Sequence, residues 1–240
     1  GKLGVEPLLG PWYDDYGLSE QVAYRFGDIP EEHRRFPMKI RPSADAEWKW
    51  TTGLVEAPDL LRVAMIRGKR WFDPQRRDQW EEVEPSFELP GPIQVTTLPD
   101  GTLLTPVHGQ NPSVIDRRHD QVLCLESADA GLTWQPRGAI ADDTDRTSRG
   151  YGGGEMEMGV MPDGDLLCVM RTQMSSHGHE SHWLAASRSC DGGRTWTRPE
   201  EIAAFSVTPH LMVLENGLVV VVYGRPGVYV RMSADGGKRV

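Results

Sequence analysis

The chain has 240 residues and a formal net charge of −9 at pH 7, with no compact block of basic residues. This balance argues against a polyanionic partner such as nucleic acid, whose phosphates are bound by clustered Lys and Arg. No run of 18 or more apolar residues occurs, so the sequence predicts no membrane span.

The region from Gly1 to about Pro90 shows no clear repeat. It is rich in tryptophan and carries a basic run at 67–70. A degenerate turn motif begins at Ser43-Ala-Asp45, with Glu47 at the position of a glycine. We expect a strand-rich region whose turns have diverged.

From residue 98 onward the chain repeats a hairpin signal. The three turns are Leu98-Pro-Asp-Gly101, Met161-Pro-Asp-Gly164 and Leu214-Glu-Asn-Gly217. Asp-Gly or Asn-Gly between apolar runs is a strong short-range signal of a β-hairpin. Each turn therefore predicts a pair of antiparallel strands.

A second repeated element follows each hairpin. Ser127-Ala-Asp-Ala-Gly-Leu-Thr-Trp134 is matched by Ser189-Cys-Asp-Gly-Gly-Arg-Thr-Trp196, and Ser233-Ala-Asp-Gly-Gly237 begins a third copy. Each copy follows an alternating run that is typical of a half-buried strand. We expect the Asp to accept hydrogen bonds from amides of its own turn, the Gly to supply an unusual backbone angle, and the Trp to pack on the sheet.

The two elements recur about every 60 residues and predict a four-stranded unit of the kind that forms the blades of a β-propeller. The Ser-x-Asp-x-Gly-x-Thr-Trp pattern resembles the Asp-box of the sialidase (neuraminidase) superfamily, whose members are six-bladed propellers. The resemblance implies an all-β fold of four-stranded antiparallel blades, roughly three to four of them in this chain. We expect one partial propeller domain over 1–240, with a divergent blade region at 1–90 and Asp-box blades at 91–240.

A longer segment, Glu155 to Arg171, resembles the sialidase segment with a catalytic Glu before a hairpin and a substrate-binding Arg after it. The hairpin by itself predicts that both residues emerge at one end of the blade, where propellers bind ligands. A two-residue turn would put their side chains on opposite faces, whereas a three-residue turn would put them on one face.

The same construction brings Pro92 with His108, and Thr208 with Gly224, to that end of the neighbouring blades. Arg225 follows Gly224 and is a candidate for the arginine cluster that binds the sialic acid carboxylate in the family. Arginine suits this role because its planar fork donates two parallel hydrogen bonds to a carboxylate.

By resemblance, Glu155 is the base that activates a tyrosine nucleophile, as in retaining sialidases. Arg171, Arg225, His108 and Glu157 are the predicted substrate-binding residues. The nucleophile is not assignable in the sequence, and neither is the general acid, for which Asp116 and Asp120 are only placed in a suitable loop. In the structural alternative, both glutamates are solvent-facing or capping residues and Arg171 is a strand-end surface charge.

The sequence predicts no cofactor and no metal. The cysteines Cys124, Cys168 and Cys190 match neither a zinc pattern nor a disulfide framework. The histidines of His177-Gly-His-Glu-Ser-His182 are close enough to converge on a metal ion, but substrate contact or a plain polar loop are alternatives.

The leading hypothesis is a sialidase-like exo-glycosidase that hydrolyses terminal acidic sugars from glycans. The alternatives are a non-catalytic propeller that binds glycans or proteins, and a propeller glycosidase for another sugar. The resemblance is compatible with a secreted or periplasmic protein.

Overall fold

The computed structural model describes residues 4–13, 19–41, 43, 45–68, 81–86, 94–110, 120–142, 150–173, 183–224 and 227–239. These residues form strands and two short 3-10 helices, Phe26–Asp28 and Glu31–His33. None of their helices is long and apolar enough to cross a membrane. By internal contacts the chain divides into one unit of Gly1–Gly91 with Leu132–Trp134, and a second of Pro92–Gly131 with Gln135–Val240. The single-domain assignment stays a prediction.

The described part of the first unit contains six strands: β1 (Leu9–Tyr13), β2 (Ser19–Arg25), β3 (Arg35–Ile40), β4 (Lys49–Val55), β5 (Leu61–Gly68) and β6 (Glu81–Ser86). Four of them form the antiparallel sheet I, in the order β1-β2-β5-β6. The other two, β3 and β4, form a hairpin. Leu54 and Val55 of β4 also pair in parallel with Thr133 and Trp134. The expectation of a strand-rich region is confirmed for the described part of it.

The second unit repeats one antiparallel sheet. Sheet II contains β7 (Thr96–Thr97), β8 (Leu103–Gln110), β9 (Asp120–Ser127) and β10 (Thr133–Asp142). Only the part of β10 from Gln135 onward belongs to the second unit. Sheet III contains β11 (Gly150–Val160), β12 (Leu166–Gln173), β13 (Trp183–Ser189) and β14 (Glu200–Ala204). Sheet IV contains β15 (His210–Val213), β16 (Val219–Tyr223) and β17 (Tyr229–Ser233). The predicted four-stranded antiparallel unit is confirmed in sheets II and III.

The three hairpin turns share one geometry. In sheet III the amide of Met161 donates to the carbonyl of Asp165 at 2.7 Å, and the amide of Gly164 donates to the carbonyl of Met161 at 2.9 Å. Gly164 has a φ of 91°, which glycine adopts without the strain that a Cβ would add. The same pair of bonds closes the turns at 98–102 and 214–218. All three are therefore three-residue turns, which keeps residues at equal distances from the turn on one face of the hairpin.

Hydrogen bonds within the turn stabilise the second Ser-x-Asp-x-Gly copy, which begins at Ser189. In the second copy, the Asp191 carboxylate accepts hydrogen bonds from the amides of Arg194 and Thr195, at 3.0 and 2.9 Å. The hydroxyl of Ser189 accepts the amide of Gly193 at 2.8 Å, and the indole of Trp196 donates to the carbonyl of Gly193 at 3.0 Å. The hydrogen bond from the glycine amide to the serine hydroxyl recurs in the copies at Ser127 and Ser233.

Sheet III is buried on both faces. On β12, Leu166, Cys168 and Met170 belong to one apolar cluster with buried residues of sheet II. The alternate residues Leu167 and Val169 belong to a second cluster with buried residues of sheet IV. Because strand side chains alternate, every second residue of β11 and β12 faces sheet IV.

Candidate functional site

Glu155 and Arg171 face each other across the β11–β12 hairpin. Met156 pairs with Met170 in the ladder, and Glu155 and Arg171 are the next residues of their strands away from the turn. Arg171 Nε lies 3.2 Å from Glu155 Oε2, and the Arg171 and Glu155 side chains are 16% and 25% exposed. The three-residue turn thus brings the two charges together, on the face toward sheet IV.

Glu155 is also held by the segment that enters sheet IV. The amide of Thr208 donates a 2.7 Å hydrogen bond to Glu155 Oε2. Thr208 has a φ of 48° and Phe205 one of 63°, both in the left-handed region that β-branched and bulky residues rarely adopt. The carbonyl of Val207 accepts the amide of Gly224 at 3.2 Å, which ties this segment to the end of β16. One hydrogen bond from Thr208 and the ion pair with Arg171, both at Oε2, fix the direction of the carboxylate.

Glu157 lies on the same face of β11, two residues closer to the turn. Its Oε2 accepts the amide of Leu211 at 2.8 Å and lies 3.0 Å from Nδ1 of His210. Both contacts join β11 to β15, the first strand of sheet IV. Contact of Glu157 with a substrate stays a prediction.

Sequence reasoning missed Gln94, whose side chain binds the backbone of the next sheet as the Glu157 side chain does. Counted back from the hairpin turns, Gln94 and Glu157 hold equivalent positions. The Gln94 side chain accepts the amide of Met158 at 2.9 Å and donates to the Met158 carbonyl at 2.6 Å. An alignment of the three hairpins would have paired Gln94, Glu157 and His210 as one repeated position.

The remaining predicted site residues are only partly described. His108 is half-buried on β8, opposite Val122, at the position that Arg171 holds in sheet III. Asp120 begins β9, but its side chain is outside the described part. Arg225, Asp116 and the histidines of 177–182 lie outside the described residues. Of the predicted set, the described geometry brings together Glu155 and Arg171, with Glu157 beside them on the same face.

The chain matches one family model and several solved structures. The family model, described as a BNR repeat-like domain, matches residues 29–239. A search of curated proteins finds no match. An α-L-arabinofuranosidase from Fusarium graminearum matches at 15% identity with a TM-score of 0.50, over 89% of this chain and 66% of that one.

Two further structures match less closely in TM-score. An α-L-arabinanase from Penicillium chrysogenum has 16% identity and a TM-score of 0.46, over 87% of this chain and 65% of that one. A Hadza microbial sialidase has 19% identity and a TM-score of 0.42, over 91% and 40%. The chain spans less than two thirds of the length of each of these three proteins. At 15% identity, the likeness to the arabinofuranosidase shows the fold alone, and the fold class is an all-β propeller of four-stranded antiparallel blades.

Proposed function

Because this chain belongs to the BNR repeat-like domain family and has a β-propeller fold, we propose that it acts as a glycosidase on terminal acidic sugars of glycans. The observation that carries the proposal is the half-buried ion pair of Glu155 and Arg171 at one end of sheet III. A carboxylate and a guanidinium side by side are groups that can move a proton and bind an anionic sugar.

In this proposal Arg171 binds the carboxylate of the sugar. A guanidinium stays charged at all relevant pH values and forms charge-assisted hydrogen bonds that are about twice as strong as neutral ones. Arg171 lies near the end of β12 that is remote from the hairpin turn. Arg225 and His108 are proposed as further substrate contacts from the neighbouring sheets.

Glu155 is proposed as the general base. Its Oε2 is oriented by Arg171 and by the Thr208 amide, so the carboxylate is fixed before a substrate arrives. By resemblance to retaining sialidases, it would accept the proton of a tyrosine hydroxyl as that oxygen attacks the anomeric carbon. The bond from that carbon to the leaving sugar breaks in the same step, and a general acid protonates the leaving oxygen.

A glycosidase for a neutral sugar such as arabinose is the second candidate. It is favoured by the fold likeness to an α-L-arabinofuranosidase, which has the highest TM-score of the three structures compared. In that case the Glu155–Arg171 pair would serve to orient Glu155, and no substrate carboxylate would be needed.

The test is hydrolysis of three aryl glycosides, an α-sialoside, a β-glucuronide and an α-L-arabinofuranoside, by the protein and its Glu155→Gln variant. We expect the variant to lose about 10²- to 10⁴-fold in kcat/KM on the substrate that the protein hydrolyses, as is typical when a general base is removed. Glu215→Gln, an exposed change in the hairpin turn of sheet IV, is the matched control and should keep full activity. Full activity of Glu155→Gln would exclude the base role. Hydrolysis of none of the three would favour a binding propeller.

A further inference from the structure

Three aromatic side chains meet at the end of sheet IV that adjoins Glu155. Tyr223 ends β16 and Tyr229 begins β17, directly opposite it in the ladder, while Phe205 follows β14. The ring centroids of Tyr223 and Tyr229 are 5.7 Å apart with planes at 24°, and those of Phe205 and Tyr229 are 6.2 Å apart at 20°. Near-parallel rings at these separations are offset, so the three form a stepped aromatic surface.

The inner ring of this surface is buried and the outer two are open to solvent. Tyr223 is 8% exposed, and it belongs to the apolar cluster between sheets III and IV. Tyr229 and Phe205 are 41% and 36% exposed. The aromatic surface is therefore anchored in the core at one side and accessible at the other.

Gly224 makes room for Tyr229. A Cβ at Gly224 would lie 2.5 Å from Cδ2 of the Tyr229 ring, and Gly224 has a φ of 129°. The equivalent positions carry Arg171 in sheet III and His108 in sheet II. Sheet IV thus presents an aromatic ring at the end of the sheet where its neighbours present a basic side chain.

The aromatic surface is linked directly to the site. Phe205 and Thr208 are three residues apart, and the Thr208 amide holds Glu155. Both residues have positive φ, a strain that persists only where the surrounding structure enforces it and that often occurs at ligand sites. One strained segment therefore places an aromatic ring at the surface and a hydrogen-bond donor on Glu155.

We propose that Phe205 and Tyr229 form a platform for a second sugar ring of a glycan, beside the ring bound at Glu155 and Arg171. This proposal rests on the proposed function. Sugar rings have an apolar C–H face that packs on aromatic rings, and a partly exposed tyrosine combines that surface with a hydroxyl for the polar edge of the sugar. The bound ligand is thus an oligosaccharide.

The experiment is calorimetric titration of the protein with 3′-sialyllactose, with α-1,5-arabinotriose, and with the methyl glycosides of sialic acid and arabinofuranose. Tyr229→Ala should weaken binding of the trisaccharide that the protein prefers by about 3- to 10-fold, the range for one aromatic contact. Binding of the matching methyl glycoside should not change, and Tyr229→Phe should restore most of the lost affinity. Met232→Ala, an exposed apolar change on the same strand near its other end, is the control and should bind as the wild type does.

The outcomes separate this proposal from the proposed function. Unchanged trisaccharide binding by Tyr229→Ala and by Phe205→Ala would overturn the platform, even if the protein hydrolyses aryl glycosides. Binding without hydrolysis, weakened by Tyr229→Ala, would support the platform and refute the glycosidase. The platform would also be overturned if Tyr229→Ala weakened binding of the trisaccharide and of the methyl glycoside equally. No binding of either trisaccharide by the wild type would overturn it as well.

Discussion

At the scale of single residues, Asp191 shows how a turn can depend on ionisation. The hydroxyl and the amide of Thr195 donate to its carboxylate, at 2.6 and 2.9 Å, and Ser189 and Arg194 add further donors. These hydrogen bonds hold the pKa of Asp191 well below its usual value of 3.8, and those from Thr195 have the largest effect. Because the ionised form is favoured in the folded state, the turn contributes stability only while Asp191 is charged.

We predict that acid removes this contribution. The unfolded chain takes up the proton near pH 4, so the stabilisation is complete above that pH and is lost as the pH falls toward the lower pKa of the folded state. The free energy of unfolding in urea, measured from pH 6 to pH 2, should therefore differ most between wild type and Asp191→Asn at pH 6. The difference should shrink below about pH 4. A difference that stays constant over this range would contradict the prediction.

At the scale of elements, a side chain at the start of one sheet binds the first strand of the next sheet. Gln94 binds the backbone of Met158 in the next sheet, and Glu157 binds the backbone of Leu211 in the sheet after it. The two acceptors differ in charge but perform one task, because an amide oxygen and a carboxylate oxygen can each accept a backbone N–H. The position shared by Gln94 and Glu157 therefore requires a hydrogen-bond acceptor and not one particular residue type.

Loss of this acceptor should destabilise the protein. Glu157→Ala leaves the buried Leu211 amide without its partner, and we expect the free energy of unfolding to fall by about 1–3 kcal/mol. Gln94→Ala should have an effect of similar size, and Glu157→Gln should retain most of the stability. A Glu157→Ala variant as stable as the wild type that no longer binds sugar would instead support direct substrate contact.

A second set of hydrogen bonds joins neighbouring sheets at the Ser-x-Asp-x-Gly turns. Arg188 Nη1 donates to the carbonyl of Gly236 at 3.1 Å, and Arg137 Nε donates to the carbonyl of Gly192 at 2.6 Å. The two glycines are equivalent in the Ser-x-Asp-x-Gly turns, whereas the arginines come from different strands, β13 and β10. The accepting carbonyl is thus repeated while its donor is not, so no pattern in the sequence marks the two arginines as a pair.

At the scale of the whole molecule, local sequence patterns predicted the turns and the strands but not the contacts between distant segments. The Asp-Gly and Asn-Gly turns, the Ser-x-Asp-x-Gly turns and the alternating strands follow from neighbouring residues, and with turn length they place Glu155 opposite Arg171. The parallel pairing of Val55 with Trp134 joins distant segments and has no local signal. The contact of Tyr229 with Gly224 depends on a left-handed glycine and a ring position, which strand patterns do not encode.

The core of the second unit gives a prediction at this scale. Met158 is fully buried in the apolar cluster that residues of sheets II and III share. Met158→Ala should lower the free energy of unfolding by about 2–5 kcal/mol, because it removes buried contacts and leaves a cavity. Met232→Ala, exposed on β17, should change it by less than about 0.5 kcal/mol. Urea unfolding of both variants makes the comparison, and equal effects would contradict it.

The ring of Tyr229 over Gly224 also constrains how this protein can evolve. A mutation that introduces arginine at position 224, to copy the position of Arg171, would meet the ring at 2.5 Å and a backbone angle that favours glycine. A lineage would first have to replace Tyr229 with a smaller residue. The order of the two mutations is therefore fixed, and selection for sugar binding at Tyr229 would close the path to an arginine at position 224.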